Sequence, residues 1–515
     1  MTGRVITTFA GPARDPGDVA AALVRAGFVL GPAQPIVRTL IDTFDGRLHV
    51  AGLRLECREG RSTELLLSGE NTTTAMLAVN AVPRSVDDLP PGPFRTRISD
   101  LIDDRALLSV VRLRTLCTPA VRRDREGKII SAATIWDQLV VADHDVLDMV
   151  PWTVDIEEVR GFAKHARTTR AVISGLGLRQ LDRDTLGEAA TAAGAHIGAR
   201  RAPSDIVLDP AGPVLDGYRK VLAGLAATIA ENWQGTIDET DSEFLHDFRI
   251  AVRRTRTVLR ESQKVLPSAR LEVAVSEFAR LGSLTGPPRD LDVYLVEWAI
   301  YTDGLAPATV TALQPVRDLL EQRQAAAHVE LAEALVDPAG RAFMDEWRRW
   351  LADPNCGEQP GAQADEQLAD VVAKRIRRAH ERLVEAGRLI RPDTPAENVH
   401  DLRKHAKKLR YLIECFASVL ADRPRKEFVR RLKVLQDNLG VHQDAEVHVA
   451  TLRAIAVDLH DVGESSETLV AIGQLTERID QRRLAARAEF AERFAAYDTD
   501  ATLRDLERAL RRDKR

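Results

Sequence analysis

The stretch His246-Asp-Phe-Arg-Ile-Ala-Val-Arg-Arg-Thr-Arg-Thr-Val-Leu-Arg260 carries two stripes that run one residue out of phase. At helical spacing, Leu245, Phe248, Val252, Thr255 and Leu259 share one face. His246, Arg249, Arg253, Arg256 and Arg260 repeat the same three-four spacing one position later, with Arg254 beside them, and Asp247 is the only acid in the stretch. This predicts a helix that buries one edge in a core and offers a row of cations along the other.

The pattern returns 154 positions later. His400, Arg403, Lys407, Lys408 and Arg410 stand where His246, Arg249, Arg253, Arg254 and Arg256 stood, and Val399, Leu402, Ala406, Leu409 and Ile413 repeat the apolar stripe. At the same offset Leu281 matches Leu435, Gly286 matches Gly440, and Asp290-Leu291-Asp292-Val293 matches Asp444-Ala445-Glu446-Val447. A long repeat of this kind predicts two similar helical bundles of about four helices each. The glycines are expected to end one helix. Asp290 and Asp444 either cap the next helix or orient a basic side chain through a charged hydrogen bond.

The chain of 515 residues is too long for one ordinary core. It is 44% hydrophobic and 29% charged, without an apolar run long enough for a membrane helix. The N-terminus lacks the apolar centre of a secretory signal. Cys57, Cys117, Cys356 and Cys415 are too scattered for a metal or disulfide framework, so a reducing cytoplasm is expected. With a formal net charge of −5 and 5% aromatics, the chain does not resemble a general nucleic-acid binder; its cations are concentrated locally.

The first two hundred residues read as a mixed α+β domain. Strand patterns run over Arg4–Thr8, Ile36–Thr43, Leu53–Cys57 and Glu64–Ser68. Later ones cover Val111–Leu113, Ala120–Asp124, Ile129–Ile135, Gln138–Asp143 and Trp152–Val159. Arg38, Arg54, Glu56, Arg58, Arg112, Arg114, Asp155 and Glu157 alternate with apolar residues. They form either the wet face of a sheet or the lining of an anion-binding tunnel. Prolines and glycines at 201–213 mark a linker, and amphipathic helices dominate over 214–511. These include Val310–Leu335, Asn398–Leu420, Arg425–Asn438 and Ala445–Leu459.

The paired His-x-x-Arg-x-x-x-basic-basic-x-Arg motifs resemble the signature of the CHAD family, as do Arg289-Asp290-Leu291-Asp292 and Leu435-Gln436-Asp437-Asn438-Leu439-Gly440 with Asp444. That resemblance implies an all-helical domain over 214–511 with two four-helix units, no cofactor, binding of inorganic polyphosphate and association with polyphosphate granules. Asp42-Thr43-Phe44-Asp45-Gly46, with Leu48 and Gly52-Leu53-Arg54-Leu55, resembles a motif of the CYTH, or triphosphate tunnel, family. That resemblance implies a β tunnel over 1–200 in which acids hold a divalent metal and bases hold triphosphate. The family's Glu-x-Glu-x-Lys strand is absent, since the first strand reads Arg4-Val5-Ile6-Thr7-Thr8. Glu157 and Glu158 resemble late tunnel acids. The expectation is therefore a degenerate, noncatalytic tunnel, with a metal-dependent triphosphatase as the alternative.

Polyphosphate has about one charge per phosphate and no bases to read. Guanidinium groups contact phosphate oxygens in pairs, and residues three and four apart climb about 5 Å per helical turn. The expected contacts are His246, Arg249, Arg253, Arg254, Arg256, Arg260, His400, Arg403, Lys407, Lys408 and Arg410, with Arg430 from the next helix. Two further basic runs could enlarge the site: Lys374, Arg375, Arg377, Arg378 and Arg382 before the second motif, and Arg423, Arg425, Lys426, Arg430, Arg431 and Lys433 after it.

Overall fold

The computed structural model describes residues 5–10, 15–69, 72–141, 152–181, 185–192, 206–353 and 359–511. The chain divides into two compact units, Met1–Arg200 and Arg201–Arg515. The first is built on a β-sheet and the second is helical, an α+β architecture. No helix among the described residues is long and apolar enough to cross a membrane.

In the first unit the elements are β1 (Val5–Ala10), α1 (Pro16–Arg25), β2 (Val29–Leu30), β3 (Gln34–Asp42), α2 (Arg47–Val50), β4 (Leu53–Glu59), β5 (Thr63–Gly69) and β6 (Thr72–Val79). They continue with α3 (Pro93–Ile102), β7 (Leu108–Arg123), β8 (Ile129–Val141), β9 (Thr153–Glu158), α4 (Ala163–Gly175), β10 (Arg179–Gln180) and α5 (Thr185–Ala192). The strand order is β10-β1-β9-β8-β7-β3-β4-β5-β6, with β2 paired to β7. The sheet curls until β6, at one end of this order, comes back beside β1. Helices cover its outer face: Leu48, Phe94 and Ile98 pack on Ile41, Leu55 and Leu65, while Val19, Leu23 and Ile173 pack on Phe9, Ile135 and Val154.

Several local expectations need correction. Val111–Leu113 and the expected strand from Ala120 are parts of one long strand, β7, which ends at Arg123, one residue before Asp124, and Ile129–Ile135 is the first part of the longer β8. Ala142 and Asp143 of the expected Gln138–Asp143 strand lie outside the described residues. The Asp42–Gly46 turn serves α2. The Asp42 carboxylate accepts the N–H groups of Thr43, Leu48 and His49 at 2.7, 2.9 and 3.0 Å, and Gly46 takes the left-handed φ of 69° that its position demands.

The alternating charges also divide between two faces. Register pairs Arg38 with Arg58 and Leu40 with Glu56, which places Arg38, Glu56 and Arg58 on the inner face. Arg112 and Arg114 pair with Thr39 and Val37, so they point the other way and are exposed. Inside the curl, Glu56 accepts from Arg38 and Arg58 at 2.7 Å each, and both guanidiniums lie over the Trp136 ring at 4.6 and 4.7 Å. Asp155 takes the Trp136 indole N–H at 2.8 Å and the Thr8 hydroxyl at 2.7 Å. Burial alone would raise the Glu56 carboxyl. The Arg38 and Arg58 guanidiniums outweigh it and hold the group well below the usual carboxylate range.

The second unit runs α6 (Val214–Ile237), α7 (Ser242–Glu261), α8 (Ser268–Leu284), α9 (Gly286–Thr302), α10 (Pro307–Ala312), α11 (Gln314–Val336) and α12 (Pro338–Ala352). It continues with α13 (Leu368–Arg388), α14 (Ala396–Cys415), α15 (Asp422–Asp461), α16 (Ser466–Tyr497) and α17 (Asp500–Leu510). Helices α6, α7 and α8 begin 154 positions before α13, α14 and α15 respectively. Val214 N–H donates to the Glu366 carbonyl at 2.8 Å, and Leu368 N–H donates to the Gly212 carbonyl at 2.9 Å. Equivalent residues exchanging equivalent bonds is what an approximate two-fold axis between the repeats produces.

The apolar cores do not follow the repeats. The main core takes residues from both, including Phe248 of α7, Leu402 of α14 and Phe428 of α15. A second core joins α9 and α11 to the later half of α15 and the early part of α16, so each repeat contributes half of it. The expectation of one bundle per repeat fails for that reason. The expected break at Gly440 also fails, because α15 runs straight through it. Gly286 is followed by Pro287 and Pro288, which lack N–H groups and start a new helix, whereas Gly440-Val441-His442-Gln443 keeps every donor. Similarly, Pro315 divides the expected Val310–Leu335 helix into α10 and α11.

Candidate functional site

Helix α7 is anchored at its start by Asp241, whose carboxylate accepts the N–H groups of Glu243 and Phe244. Its stripe of Leu245, Phe248, Val252, Thr255 and Leu259 is buried, as are Val399, Leu402, Ala406, Leu409 and Ile413 of α14. Burial of these faces sets the rotation of both helices, and α7 and α14 pack against one another. Their cationic edges are thereby brought together.

A cavity of about 550 Å³ lies between α7, α13 and α14. Arg253, Arg256 and Arg260 enter it from α7, Arg382 from α13, and Lys404, Lys407 and Lys408 from α14. Lys408 is paired with Glu261, and Lys404 with Asp401 at 2.9 Å. Arg253, Arg256, Arg260, Arg382 and Lys407 have no ion-pair partner among the described residues. Burial, together with the neighbouring Arg253 and Arg403, pushes the Lys407 ammonium down to about 7. Burial, then Arg260 and Arg253, also pushes Arg256 down. These shifts mark a site with an excess of positive charge that the fold does not neutralise.

On the flank of the cavity, Arg249 donates to Asp290 at 3.4 Å and Arg403 donates to Asp444 at 2.8 Å. Both pairs span 41 residues, as the repeat requires. Neither aspartate caps a helix. Asp290 lies inside α9 and Asp444 inside α15, and each instead orients an arginine. Gly282 and Gly286 allow close approach: a Cβ on Gly282 would stand 2.5 Å from an Arg256 nitrogen, and one on Gly286 would stand 3.2 Å from an Arg249 nitrogen.

Not every expected contact reaches this place. Arg254 and Arg410 are both bound to Glu414 at 2.6 Å. His400 pairs with Gln443 at 2.6 Å, His246 is half-buried, and neither lines the cavity. Arg430 is exposed and paired with Glu427 three residues earlier at 3.0 Å. Arg425 and Lys426 are drawn to Asp422, and Arg431 to Asp505, so that basic run does not enlarge the site. Of the earlier run, Arg375 binds the Tyr218 hydroxyl and Arg377 binds Glu507, leaving Arg382 as its contribution to the cavity. The motif residues Asn438 and Asp292 are structural: Asn438 donates to the Ala486 carbonyl at 2.9 Å, and Asp292 pairs with His328 at 2.8 Å.

Lys404, His405 and Tyr411 are lining residues that the motif did not single out. His400, Lys404, Lys407 and Tyr411 form a four-three-four stripe on α14, and that spacing was the available signal. Gly282 left no comparable signal, because its role depends on where Arg256 lies.

Residues 220–453 match the family model for the CHAD domain. The chain carries a CHAD domain. Uncharacterised proteins of two Mycobacterium tuberculosis strains are 26% identical over 298 residues, covering 54% of this chain and 51% of theirs. The chain therefore spans about half the length of the curated relatives it matches. The CHAD domain from the plant Ricinus communis is 23% identical, covering 58% of this chain and 94% of that one, with a TM-score of 0.43. The N-terminal β region resembles the CYTH, or triphosphate tunnel, fold at low identity. A putative adenylyl cyclase from Hippeastrum, described as having a dominant triphosphatase activity, is 10% identical, with 38% of this chain and 97% of that one covered and a TM-score of 0.27.

Proposed function

We propose that the CHAD domain binds inorganic polyphosphate in the cavity between α7, α13 and α14, and that this binding places the protein at cytoplasmic polyphosphate granules. The observation that carries this reading is the group of five cations without acid partners, Arg253, Arg256, Arg260, Arg382 and Lys407, gathered in one cavity from both copies of the repeat. Holding like charges together away from water is unfavourable in an isolated protein and favourable once an anion joins them. An unbranched chain of phosphates suits a trough whose lining is mainly guanidinium and ammonium groups, with Tyr411 and His405 as its rings. Nucleic-acid binders usually add several stacking rings.

The experiment is titration of the full chain with long-chain polyphosphate across salt concentrations, beside an Arg253→Ala, Lys407→Ala double variant. The variant should bind several-fold more weakly, and its dependence of log K on log salt should be shallower by about 0.7 for each cation removed. Equal binding by both proteins, or a clear preference for DNA or RNA at matched salt, would reject the reading.

A second reading is a metal-dependent triphosphatase in a tunnel formed by the curled sheet. The supporting observation is its buried interior charge cluster, since enclosed arginines and acids often mark a ligand site. The residues fit a divalent metal poorly. Both Glu56 oxygens are taken by arginines, and the Asp155 oxygens accept from Trp136 and Thr8. No three His, Cys, Asp or Glu side chains converge among the described residues. Phosphate release from tripolyphosphate with Mg²⁺ or Mn²⁺ that disappears in Glu157→Ala would establish this second reading.

A further inference from the structure

The two copies of the cationic face have equivalent cations but different surroundings. At the repeat offset, Arg256 corresponds to Arg410, Gly282 to Gln436, and Arg260 to Glu414. Arg256 is unpaired and lies against Gly282, with the cavity before it. Arg410 instead donates to Glu414 at 2.6 Å and to Gln436 at 3.3 Å. Glu414 also accepts from Arg254 at 2.6 Å, so one carboxylate joins a motif cation from each repeat. Its side chain is 18% exposed. A carboxylate clasped by two guanidiniums has the charge and the acceptor geometry of a bound phosphate.

We propose that Glu414 is a built-in counter-anion that fills the second half of the duplicated face and confines a bound polyanion to the cavity side. This rests on the polyphosphate reading above. The duplication would otherwise present cations on both sides of the α7–α14 contact. Replacing the cation of the first repeat with an acid in the second closes one side from within. A polyphosphate chain bound along Arg253, Arg256 and Arg260 then meets Arg254 and Arg410 already neutralised. Glu414 thus sets how many phosphates one domain engages.

The test titrates long-chain polyphosphate into the full chain as wild type, Glu414→Gln and Glu414→Asp, with thermal melts to confirm folding. Glu414→Gln keeps the shape and removes the charge. It should bind several-fold more tightly, with a salt dependence steeper by about 0.7 for each guanidinium released. Adding Arg254→Gln and Arg410→Gln together should remove that gain, and either one alone about half of the added slope. Glu414→Asp, which draws the carboxylate back by one methylene, should give a smaller gain and serves as the readout if the glutamine variant does not fold. Unchanged affinity and slope in the folded variants overturn the proposal. If wild type binds and loses affinity on Arg253→Ala and Lys407→Ala while the Glu414 variants add nothing, only the Glu414 assignment falls. If wild type shows no salt-sensitive binding, the polyphosphate reading falls and takes this one with it.

Discussion

Replacing Lys407 with methionine should stabilise the protein while weakening polyphosphate binding. Lys407 faces Arg253 and Arg249 from α7 and Arg403 on its own helix, and Asp444 of α15 offsets them only in part. Methionine keeps the apolar stem and removes the charge. The ammonium falls from 10.5 to about 7, chiefly through burial. Between those two values the unfolded chain binds more protons than the folded one, so wild-type stability rises with pH across that window. Relative to a side chain that does not titrate, lysine costs roughly 4 kcal/mol at pH 7 and roughly 2 kcal/mol at pH 9 before screening. Solvent contact at its partly open end reduces these to about 2 and about 1 kcal/mol. Urea denaturation of both proteins at the two pH values measures the difference. Lys407→Met should be the more stable at pH 7, with its advantage narrowing at pH 9. Bound polyphosphate should restore the lysine charge, so wild type should take up protons on binding near pH 8, read by calorimetry in two buffers of different ionisation enthalpy. The variant should take up fewer. No gain at pH 7, or a gain that does not change with pH, would refute the electrostatic account.

Three further outcomes follow from individual contacts. Gly282→Ala places a methyl group against the Arg256 guanidinium, 2.5 Å from the nearest nitrogen. The side chain can swing away, so the melting temperature should barely change while polyphosphate affinity falls several-fold by titration. Gly440→Ala should stabilise the protein by about 0.5–1 kcal/mol in urea denaturation, because a mid-helix glycine costs that much and nothing stands within 4 Å of the new Cβ. Arg38→Met leaves Glu56 buried with Arg58 alone, and should destabilise the first unit by about 3 kcal/mol, measured by denaturation followed through Trp136 fluorescence.

The motif helices were legible because their information is local. A three-four stripe of apolar residues specifies a buried face, and the neighbouring stripe must then stand at its edge. Arg253, Arg256, Arg260, Lys407 and Lys408 reached the cavity for that reason. Partner choice was not legible, because it depends on residues distant in sequence. Nothing near Arg254 announces Glu414, which lies 160 positions away. Charge alone does not place Arg430, because Glu427 lies within one helical turn and holds it at the exposed surface. The separate strand patterns at Val111–Leu113 and from Ala120 belong to one strand, because residues 116–119 between them, Pro119 included, keep their register pairs with β8. The charged residues of the first sheet needed its register before Arg38 could be separated from Arg112.

Duplication explains why the cations stand unneutralised in one place. A single amphipathic helix with a basic edge would turn that edge to water, where ordinary solvation suffices. Two copies related by an approximate two-fold must pack their apolar stripes into a shared core, and the basic edges adjoining those stripes then face one another. Asp290 and Asp444 relieve the outer arginines of that arrangement, and Glu414 relieves Arg254 and Arg410. Arg253 and Lys407 occupy equivalent positions near the centre and receive no such partner. The repulsion is thus tied to the same packing that holds the two repeats together, and a mobile polyanion is the component that can remove it without rebuilding the core.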